Sequence, residues 1–478
     1  MTRRMMIRSA LLGLIVAVSP SAAAVKLPAL IADGMVVQRG GRVPIWGTAE
    51  PGERVNVTMG GRQATTSAGD DGRWIVRLDP VPGGGPVQMV VTGSNRIEVR
   101  DILVGDVWIC AGQSNMEWPV RRSRDAEAEI AAANHPLIRL FSVRQTVFPL
   151  PALDTQGSWD PVTPETIPKF SAVGYFFGRE IHKTMDVPVG LIDVSKGDTA
   201  AEVWMSLDVL QRDADFRPIL ERWKAADPPH VADDPHTPTG LYNGMISPVI
   251  PYGVKGVIWY QGESNDDRAE QYRRLFPALI RSWRQEWDQG DFPFLFVQLA
   301  NLGRRDPGPV DSTWAELREA QLMALSLPNT AMAVAIDLGE ADNIHPPNKQ
   351  DVGSRLARAA KAIVYGRDEV HSGPIYRSLS MREGKVRLRF DHLDGGLTAL
   401  GGGGLRGFAI AGEDRKFVWA EAAIEAEEIV VWSDKLPAPA AVRYAWGNNP
   451  DCNLGNKAGL PASPFRTDDW PGLTSGKR

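Results

Sequence analysis

Apolar and polar residues change their spacing twice along the chain, which divides it into three regions. Over residues 25–104 they alternate with a period of two, as in Val55, Val57 and Met59, and turn residues separate the runs. Such alternation is typical of half-buried strands. The sequence therefore predicts a small N-terminal β domain of the sandwich type over residues 25–104.

Beyond this region, short continuous apolar runs alternate with segments of helical periodicity. The runs are candidates for buried strands: Val107–Ala111, Leu137–Val143, Val189–Val194, Gly256–Tyr260, Phe294–Leu299 and Ala331–Asp337. The helix candidates are Ala126–Ala133, Ala172–Thr184, Ala201–Leu210, Arg268–Trp287, Thr313–Leu325 and Gln350–Val364. Strand–helix alternation predicts a parallel sheet with helices on both faces. Residues 105–366 are thus expected to form an α/β domain.

The period-two pattern returns in the last region and predicts a second β region with a tail, residues 367–478. Val386, Leu388 and Phe390 alternate with polar residues, and a glycine run follows. These strands either form a separate domain or pair with the N-terminal strands. The tail after Tyr444 is rich in Asn, Gly and Pro and is able to fold back over the sheet domain.

The first 24 residues have the composition of a secretory signal peptide. Arg3, Arg4 and Arg8 precede the apolar run Ala10–Val18, and small residues follow at Ser21–Ala24. The apolar run is too short for a membrane span. The paired arginines also resemble a twin-arginine signal, so both general secretory and twin-arginine export stay open. We expect an exported protein, periplasmic or extracellular, with no membrane attachment after the signal is removed.

The net charge, the two cysteines and the histidines indicate which partners, disulfides and metal sites to expect. The net charge is −5 and no basic cluster is present, which argues against nucleic acid as a partner. Two cysteines are too few for a disulfide scaffold. We expect Cys110 to be a buried free thiol, with a Cys110–Cys452 disulfide as the alternative. His230 and His236 lie in an acidic, proline-rich stretch, where a solvated loop is favoured over a metal site.

Polar residues follow four of the predicted strands. These segments are Gly112–Asn115, Ser195–Asp198, Gln261–Asn265 and Asp342–His345. In open α/β sheets, ligands bind just beyond the carboxyl ends of the strands. Each segment alone is typical of a turn or a helix cap. Together they bring a hydroxyl, a glycine amide, a side-chain amide and an Asp-x-x-His pair to one rim of the predicted sheet.

Acyl transfer requires this set of groups. A serine becomes a nucleophile when a base takes its proton, and His345, with an ordinary pKa near about 6.5, is the natural base for Ser114. Asp342 is placed to orient the imidazole. The expected donors to the oxyanion are the backbone N–H groups of Ser114 and Gly197 and the side-chain amide of Asn265.

Three further polar residues lie beside these groups, and each has two interpretations. Gln113, Gln261 and Glu263 either contact the substrate or support the loops beside the nucleophile. The serine segment also differs from the G-x-S-x-G elbow of α/β-hydrolases, and the order of the triad differs as well.

The four segments resemble, in order and placement, those of the SGNH (GDSL-like) hydrolases. The longer strings VWICAGQSNMEWP, LYNGMISPVIPYGVKGVIWYQGESN, NIHPPNKQDVGSRLA and RYAWGNNPDCNLGNKAGLPASPFRTDDWP are similar to the sialate O-acetylesterase family of carbohydrate esterases. The resemblance implies a flavodoxin-like catalytic domain and no metal or other cofactor. It also implies a serine esterase that removes O-acetyl groups from sugars through an acetyl-enzyme intermediate.

Departures from that pattern leave alternatives open. The third segment reads Gly-Glu-Ser-Asn where SGNH lipases commonly have G-x-N-D, so the role of Asn265 rests on its place at the segment's end. Some related enzymes use Ser and His alone, which leaves the role of Asp342 open. The other functions considered are an acetylesterase of xylan or another plant polysaccharide, a lipase-type esterase and a non-catalytic glycan-binding protein. A sialic acid substrate requires an arginine opposite its carboxylate, for which Arg179, Arg268 and Arg273 are candidates.

Overall fold

A computed structural model describes residues 24–225 and 233–478. The predicted signal peptide, except its last residue, and His230 lie outside the described residues. No helix in the two described ranges is both long and apolar enough to cross a membrane.

Within the described ranges, the α-helices all lie between residues 114 and 363, and strands extend on both sides of them. The first thirteen strands are β1 (Val36–Gln38), β2 (Val43–Thr48), β3 (Arg54–Met59), β4 (Arg62–Ser67), β5 (Arg73–Leu78), β6 (Gly84–Thr92), β7 (Arg96–Gly112), β8 (His135–Ser142), β9 (Trp159–Val162), β10 (Val189–Asp193), β11 (Gly256–Tyr260), β12 (Phe294–Gln298) and β13 (Thr330–Val334). The C-terminal strands are β14 (Ile375–Arg382), β15 (Lys385–Asp391), β16 (Leu397–Ala399), β17 (Phe408–Ala411), β18 (Phe417–Trp419), β19 (Glu421–Glu425), β20 (Glu428–Trp432), β21 (Ala441–Tyr444), β22 (Leu454–Asn456) and β23 (Phe465–Arg466). The helices are α1 (Ser114–Glu117), α2 (Ala126–Ala131), α3 (Ala172–Met185), α4 (Leu207–Arg212), α5 (Arg217–Lys224), α6 (Ala269–Trp287), α7 (Thr313–Met323) and α8 (Lys349–Ile363).

Strand β7 joins the N-terminal strands to the α/β sheet. Its first part pairs antiparallel with β6, and its second part pairs parallel with β10 and β11. Residues 102–112 are buried without interruption, because a strand covered on both faces requires a continuous apolar run. The domain boundary predicted between residues 104 and 105 therefore falls inside one strand.

The parallel sheet has the strand order of flavodoxin-like folds. Strands β10-β7-β11-β12-β13 run in the order 2-1-3-4-5 of that fold, and β8 and β9 extend the sheet beyond β10. All of these pairings are parallel except that of β9 with β8. The strand order reverses between β7 and β11, and ligands of such sheets bind in the crevice outside this switch point.

Helices cover both faces of the sheet, as predicted. Trp108 of β7 packs on Phe177 of α3, with ring centroids 4.9 Å apart. Trp259 of β11 packs on Trp283 of α6, with centroids 5.8 Å apart. Trp259 is paired with Ala111, three residues from Trp108 on the same strand, and residues an odd number apart point to opposite faces. The α3 and α6 layers thus enclose the sheet from opposite sides.

The C-terminal strands form sheets of their own. These sheets have the orders β14-β15-β20-β19, β18-β17-β21-β23 and β16-β22. In the described parts of the chain, no C-terminal strand pairs with an N-terminal one, so the pairing alternative is wrong. The tail does return to the α/β domain, because the Thr474 hydroxyl donates to Glu316 on α7 at 2.5 Å. The buried Arg318 guanidinium also donates to the Gly447 carbonyl at 2.7 Å.

Two local expectations differ from the structure. The helix expected over Ala201–Leu210 is a 3₁₀ turn, Ala201–Trp204, followed by α4. The Cys110–Cys452 disulfide is not formed: both thiols are free, and Cys110 is buried in β7 as expected.

A substitution at Gly112 tests whether the ends of β7 and β11 lie too close together for a side chain. Its φ is +134°, and an added Cβ would lie 2.2 Å from the Tyr260 carbonyl oxygen. We expect Gly112→Ala to lower the free energy of unfolding by about 3–5 kcal/mol, since backbone strain and steric overlap combine. Urea unfolding followed by circular dichroism measures the loss.

The control is Gly84→Ala, because Gly84 has a φ of +110° and nothing lies within 4 Å of an added Cβ. This variant carries the backbone strain alone, about 1–2 kcal/mol. Equal losses for the two variants would contradict a steric constraint at Gly112.

Candidate active site

Ser114 lies directly beyond the carboxyl end of β7, as the first residue of α1. The Gln113 N–H donates to the Tyr260 carbonyl at 2.9 Å. The Gln113 side-chain oxygen accepts the N–H groups of Gly262 at 3.2 Å and Ser264 at 3.4 Å. Of the two interpretations of Gln113, these contacts favour loop support. Gln113 ties the end of β7 to the loop after β11 and so holds Ser114 at the switch point.

His345 lines the same cleft as Ser114. The cleft has a volume of about 790 Å³, and Gly197 and Glu263 also line it. The His345 ring stacks on Trp118 with centroids 4.8 Å apart and an interplanar angle of 18°. No hydrogen bond joins Ser114 to His345 among the described atoms, and catalytic contacts are often longer in a free enzyme than in its substrate complex. The structure thus brings the predicted nucleophile and base to one cavity.

The surroundings of His345 favour its neutral form. Burial lowers the pKa of His345 from its ordinary value of 6.5, and the positive charges of Lys349 and Arg122 lower it further. The Glu117 carboxylate acts in the opposite direction. Since a general base must be unprotonated to accept a proton, the net effect keeps the imidazole available at neutral pH.

Asp342 is not brought to the imidazole. Its side chain is exposed, and in the described structure it makes no hydrogen bond or ion pair, with His345 or any other residue. Asp342 lies in a turn in which Glu340 bridges to Asn343, and Asn343 Oδ1 accepts the His345 N–H at 2.9 Å. A spacing of three places two side chains on one face in a helix, but this segment is not helical. The orienting role of Asp342 stays a prediction without a contact to support it.

Gly197 lies beside the nucleophile. A Cβ added to Gly197 would be 3.4 Å from the Ser114 Cβ. The Gly197 N–H donates to Glu117 Oε2 at 2.5 Å, and the other oxygen of Glu117 accepts from Gln145 at 2.8 Å. The predicted oxyanion donor is thus near Ser114, but a carboxylate accepts its hydrogen bond in this structure.

Asn265 lies behind the cleft wall and is 1% exposed. Its Nδ2 donates to Glu202 Oε2 at 2.8 Å. Its Oδ1 accepts from the Ala201 N–H at 2.9 Å and from Gln261 at 2.7 Å. Gln261 is fully buried and also accepts a hydrogen bond from the Tyr272 hydroxyl at 2.9 Å. These contacts favour loop support by Gln261 and show that Asn265 connects the loops after β10 and β11.

Glu263 lines the cleft and also supports a loop. Its Oε1 accepts from the Asn115 side chain at 2.6 Å. Its Oε2 is buried and has no hydrogen-bond partner within the described part of the chain. Burial is the main cause of a raised pKa for this carboxyl.

Among the three candidate arginines, Arg268 lies at the cleft. Arg179 pairs with Glu129 and Arg273 with Glu319. Arg268 lines the cleft and donates to Glu202 at 2.8 Å. Its position three residues after Asn265 is the signal in the sequence that distinguishes it.

Four residues of the site were not predicted from the sequence. Glu117 and Glu202 bind the two predicted amide donors, Trp223 lines the cleft, and Lys349 acts on His345. Glu117 lies only three residues beyond Ser114, so its closeness could have been inferred. Glu202 and Lys349 lie four residues beyond Asp198 and His345, but nothing in that spacing marked them as buried partners of the site. Trp223 is far from the four segments in sequence.

A flavodoxin-like sheet with a serine and a histidine in one cleft at its switch point resembles the arrangement of SGNH hydrolases. Comparison with known proteins identifies the family within this class. The family profile described as "Carbohydrate esterase, sialic acid-specific acetylesterase" matches residues 104–362. The sialate O-acetylesterase of Mus musculus is 32% identical over 495 aligned positions, covering 88% of this chain and 90% of that protein. The sialate O-acetylesterase of Homo sapiens is 31% identical over 505 positions, covering 93% of each.

The comparison with solved structures also finds a carbohydrate acetylesterase. A carbohydrate acetylesterase from Xanthomonas citri superposes with a TM-score of 0.86 at 42% identity, covering 94% of this chain and all of that chain. The chain belongs to the carbohydrate esterase family of sialic acid-specific acetylesterases. It is a carboxylic ester hydrolase that removes acetyl groups from sugars.

Proposed function

We propose that Ser114 and His345 carry out this hydrolysis through an acetyl-enzyme intermediate. The observation that carries the proposal is their placement on one cleft at the switch point. Ser114 Oγ bonds to the acetyl carbonyl carbon while His345 accepts the hydroxyl proton. The bond between that carbon and the sugar oxygen then breaks, and His345 returns the proton to the sugar oxygen. Water, activated by the same base, releases acetate from Ser114.

For the oxyanion, the Ser114 N–H is the donor that the structure favours most. As the first residue of a helix, Ser114 has no backbone acceptor four residues earlier within that helix. The Gly197 N–H and the Asn265 amide are the second and third donors that we propose. The Gly197 N–H would have to exchange its carboxylate partner for the oxyanion, whereas the Asn265 amide has a second N–H beside the one that binds Glu202. Asp342 remains a predicted third member of the triad, and the geometry supports a Ser114–His345 pair acting without it.

For the sugar, we propose an acidic acetylated substrate such as an O-acetylated sialic acid. Arg268 places a guanidinium on the cleft wall, and this group suits a carboxylate. Trp223 adds an aromatic surface to the same wall. The second candidate is a neutral acetylated polysaccharide such as xylan. One observation favours it: the Arg268 charge is already paired with Glu202.

We also infer that the protein is exported, as the composition of residues 1–24 supports, to the periplasm or beyond the cell. The organisation that we propose is an N-terminal β domain, 25–104, a catalytic domain, 105–366, and a C-terminal β region, 367–478. We expect the two β regions to be sandwich-like supports of the catalytic domain.

Ser114→Ala tests the nucleophile directly. We expect acetate release from p-nitrophenyl acetate and from acetylated sugars to fall by several orders of magnitude, as it does when a nucleophile is removed. His345→Ala should cause a comparable loss. Ser123→Ala is the control, because Ser123 is a buried serine that donates to the Val120 carbonyl. Activity within tenfold of the parent enzyme for Ser114→Ala would refute Ser114 as the nucleophile.

Asn265→Ala tests the side-chain oxyanion donor. We expect kcat to fall roughly 10²–10³-fold, the usual cost of removing one oxyanion donor. Asn243→Ala is the matched control, a buried asparagine that donates to the Phe148 carbonyl at 3.0 Å. Steady-state kinetics on an acetylated sugar measure both variants. A loss below tenfold for Asn265→Ala would remove this residue from the oxyanion hole.

Arg268→Gln distinguishes the two substrate classes. For an acidic substrate we expect KM for O-acetylated sialic acid to rise about tenfold or more, since a charged hydrogen bond is lost. KM for acetylated xylan should stay within twofold. Arg273→Gln, which removes a guanidinium paired with Glu319, is the control. Equal changes in KM on both substrates would contradict a carboxylate-binding role.

A further inference from the structure

A lysine is buried beside the proposed base. Lys349, the first residue of α8, is 0% exposed. Its Nζ donates to Asn115 Oδ1 at 2.5 Å and lies 5.5 Å from the ring centroid of Tyr260. A buried ammonium costs several kcal/mol unless it is well paired. The N-terminal end of a helix repels a cation further. A lysine at this unfavourable position therefore indicates a function beyond packing.

Asn115 links Lys349 to the segment that carries His345. The Asn115 Nδ2 donates to Glu263 Oε1 at 2.6 Å and to the Ile344 carbonyl at 3.0 Å. An ammonium only donates hydrogen bonds, and a carboxylate only accepts them. The Asn115 oxygen must therefore face Lys349 and its nitrogen must face Glu263. In that orientation the amide holds the peptide immediately before His345.

The charges around the imidazole come from three elements. Lys349 on α8 and Arg122 on the 3₁₀ turn Val120–Arg122 disfavour its protonation, and Glu117 on α1 favours it. The other titratable side chains lining the cleft are Lys196, Asp198, Glu202, His236, Glu263 and Arg268. Of the two cations that act on the ring, Lys349 is buried and Arg122 is exposed, so solvent screens the charge of Lys349 less.

We propose that Lys349 is a positioning residue for the base His345. It fixes, through Asn115, the loop that carries the imidazole, and its positive charge holds that imidazole neutral. The inference rests on the proposed role of His345 and adds a residue that the Ser–His mechanism alone does not require.

The charge of Lys349 predicts the direction of a pH effect. Burial lowers the pKa of Lys349 to about 7, so it carries its charge at the acidic pH values where His345 titrates. A neighbouring cation opposes protonation of the imidazole. The acid limb of kcat/KM, which reports the base in the free enzyme, should therefore lie below pH 6.5. Removing the cation should move that limb to higher pH.

The experiment compares pH profiles of kcat/KM for the parent enzyme, Lys349→Gln and Lys361→Gln. For Lys349→Gln we expect the acid limb to move up by roughly 0.5–1 pH unit and kcat to fall. Lys361 is the matched control: it is a buried lysine on the same helix that pairs with Glu180 and Glu369. Its variant should leave the acid limb unchanged. A folded Lys349→Gln enzyme with a limb within 0.2 unit of the parent would overturn the proposal.

A measurement on the unsubstituted protein covers the case in which Lys349→Gln does not fold. The His345 ring protons are followed by NMR from pH 5 to 8, and their signal is assigned by its loss in His345→Gln. The proposal requires a titration midpoint below 6.5, and a midpoint at or above 6.5 overturns it. Failure of the base assignment gives a different result, because His345→Ala then retains activity whatever the behaviour of Lys349.

Discussion

The close approach of the ends of β7 and β11 is the constraint on which the site depends. Gly112 lies against the Tyr260 carbonyl so tightly that no side chain fits, and Gln113 closes the gap with hydrogen bonds to the loop after β11. Ser114 follows directly, so its position is set by main-chain geometry more than by its own contacts. Rigid strand ends of this kind can hold a nucleophile more precisely than a free loop.

Beyond that contact, three of the amides at the rim bind charged groups. The Gly197 N–H binds Glu117, the Asn265 amide binds Glu202, and Asn115 lies between Glu263 and Lys349. Hydrogen bonds to charged groups contribute about 1.5–3 kcal/mol each, and leaving a buried charge unpaired costs more. Because these pairs satisfy one another, the loops after β7, β10, β11 and β13 are held together in the free protein.

Much of this arrangement could be predicted from the sequence, because it depends on local patterns. Short apolar runs locate the parallel strands, and the polar residues after them include Ser114 and His345, the candidate nucleophile and base. The charge network could not be predicted, since its partners are far apart: Lys349 and Asn115 are 234 residues apart. A lysine in the first turn of an amphipathic helix is normally exposed, and periodicity does not reveal its burial. The absence of a contact between Asp342 and His345 could not be predicted either, because it depends on the conformation of the turn that contains Asp342.

The carboxylates bound to the amides also limit how the oxyanion is stabilised. Only interactions stronger in the transition state than in the ground state accelerate a reaction. If the Gly197 N–H turned from Glu117 to the oxyanion as we propose, one charged acceptor would replace another, so the gain would be smaller than for a free N–H. Glu117 also favours protonation of His345, so moving its carboxylate away would weaken the base at the same step. The Ser114 N–H has no carboxylate partner to exchange, so among the three proposed donors its contribution to catalysis should be largest.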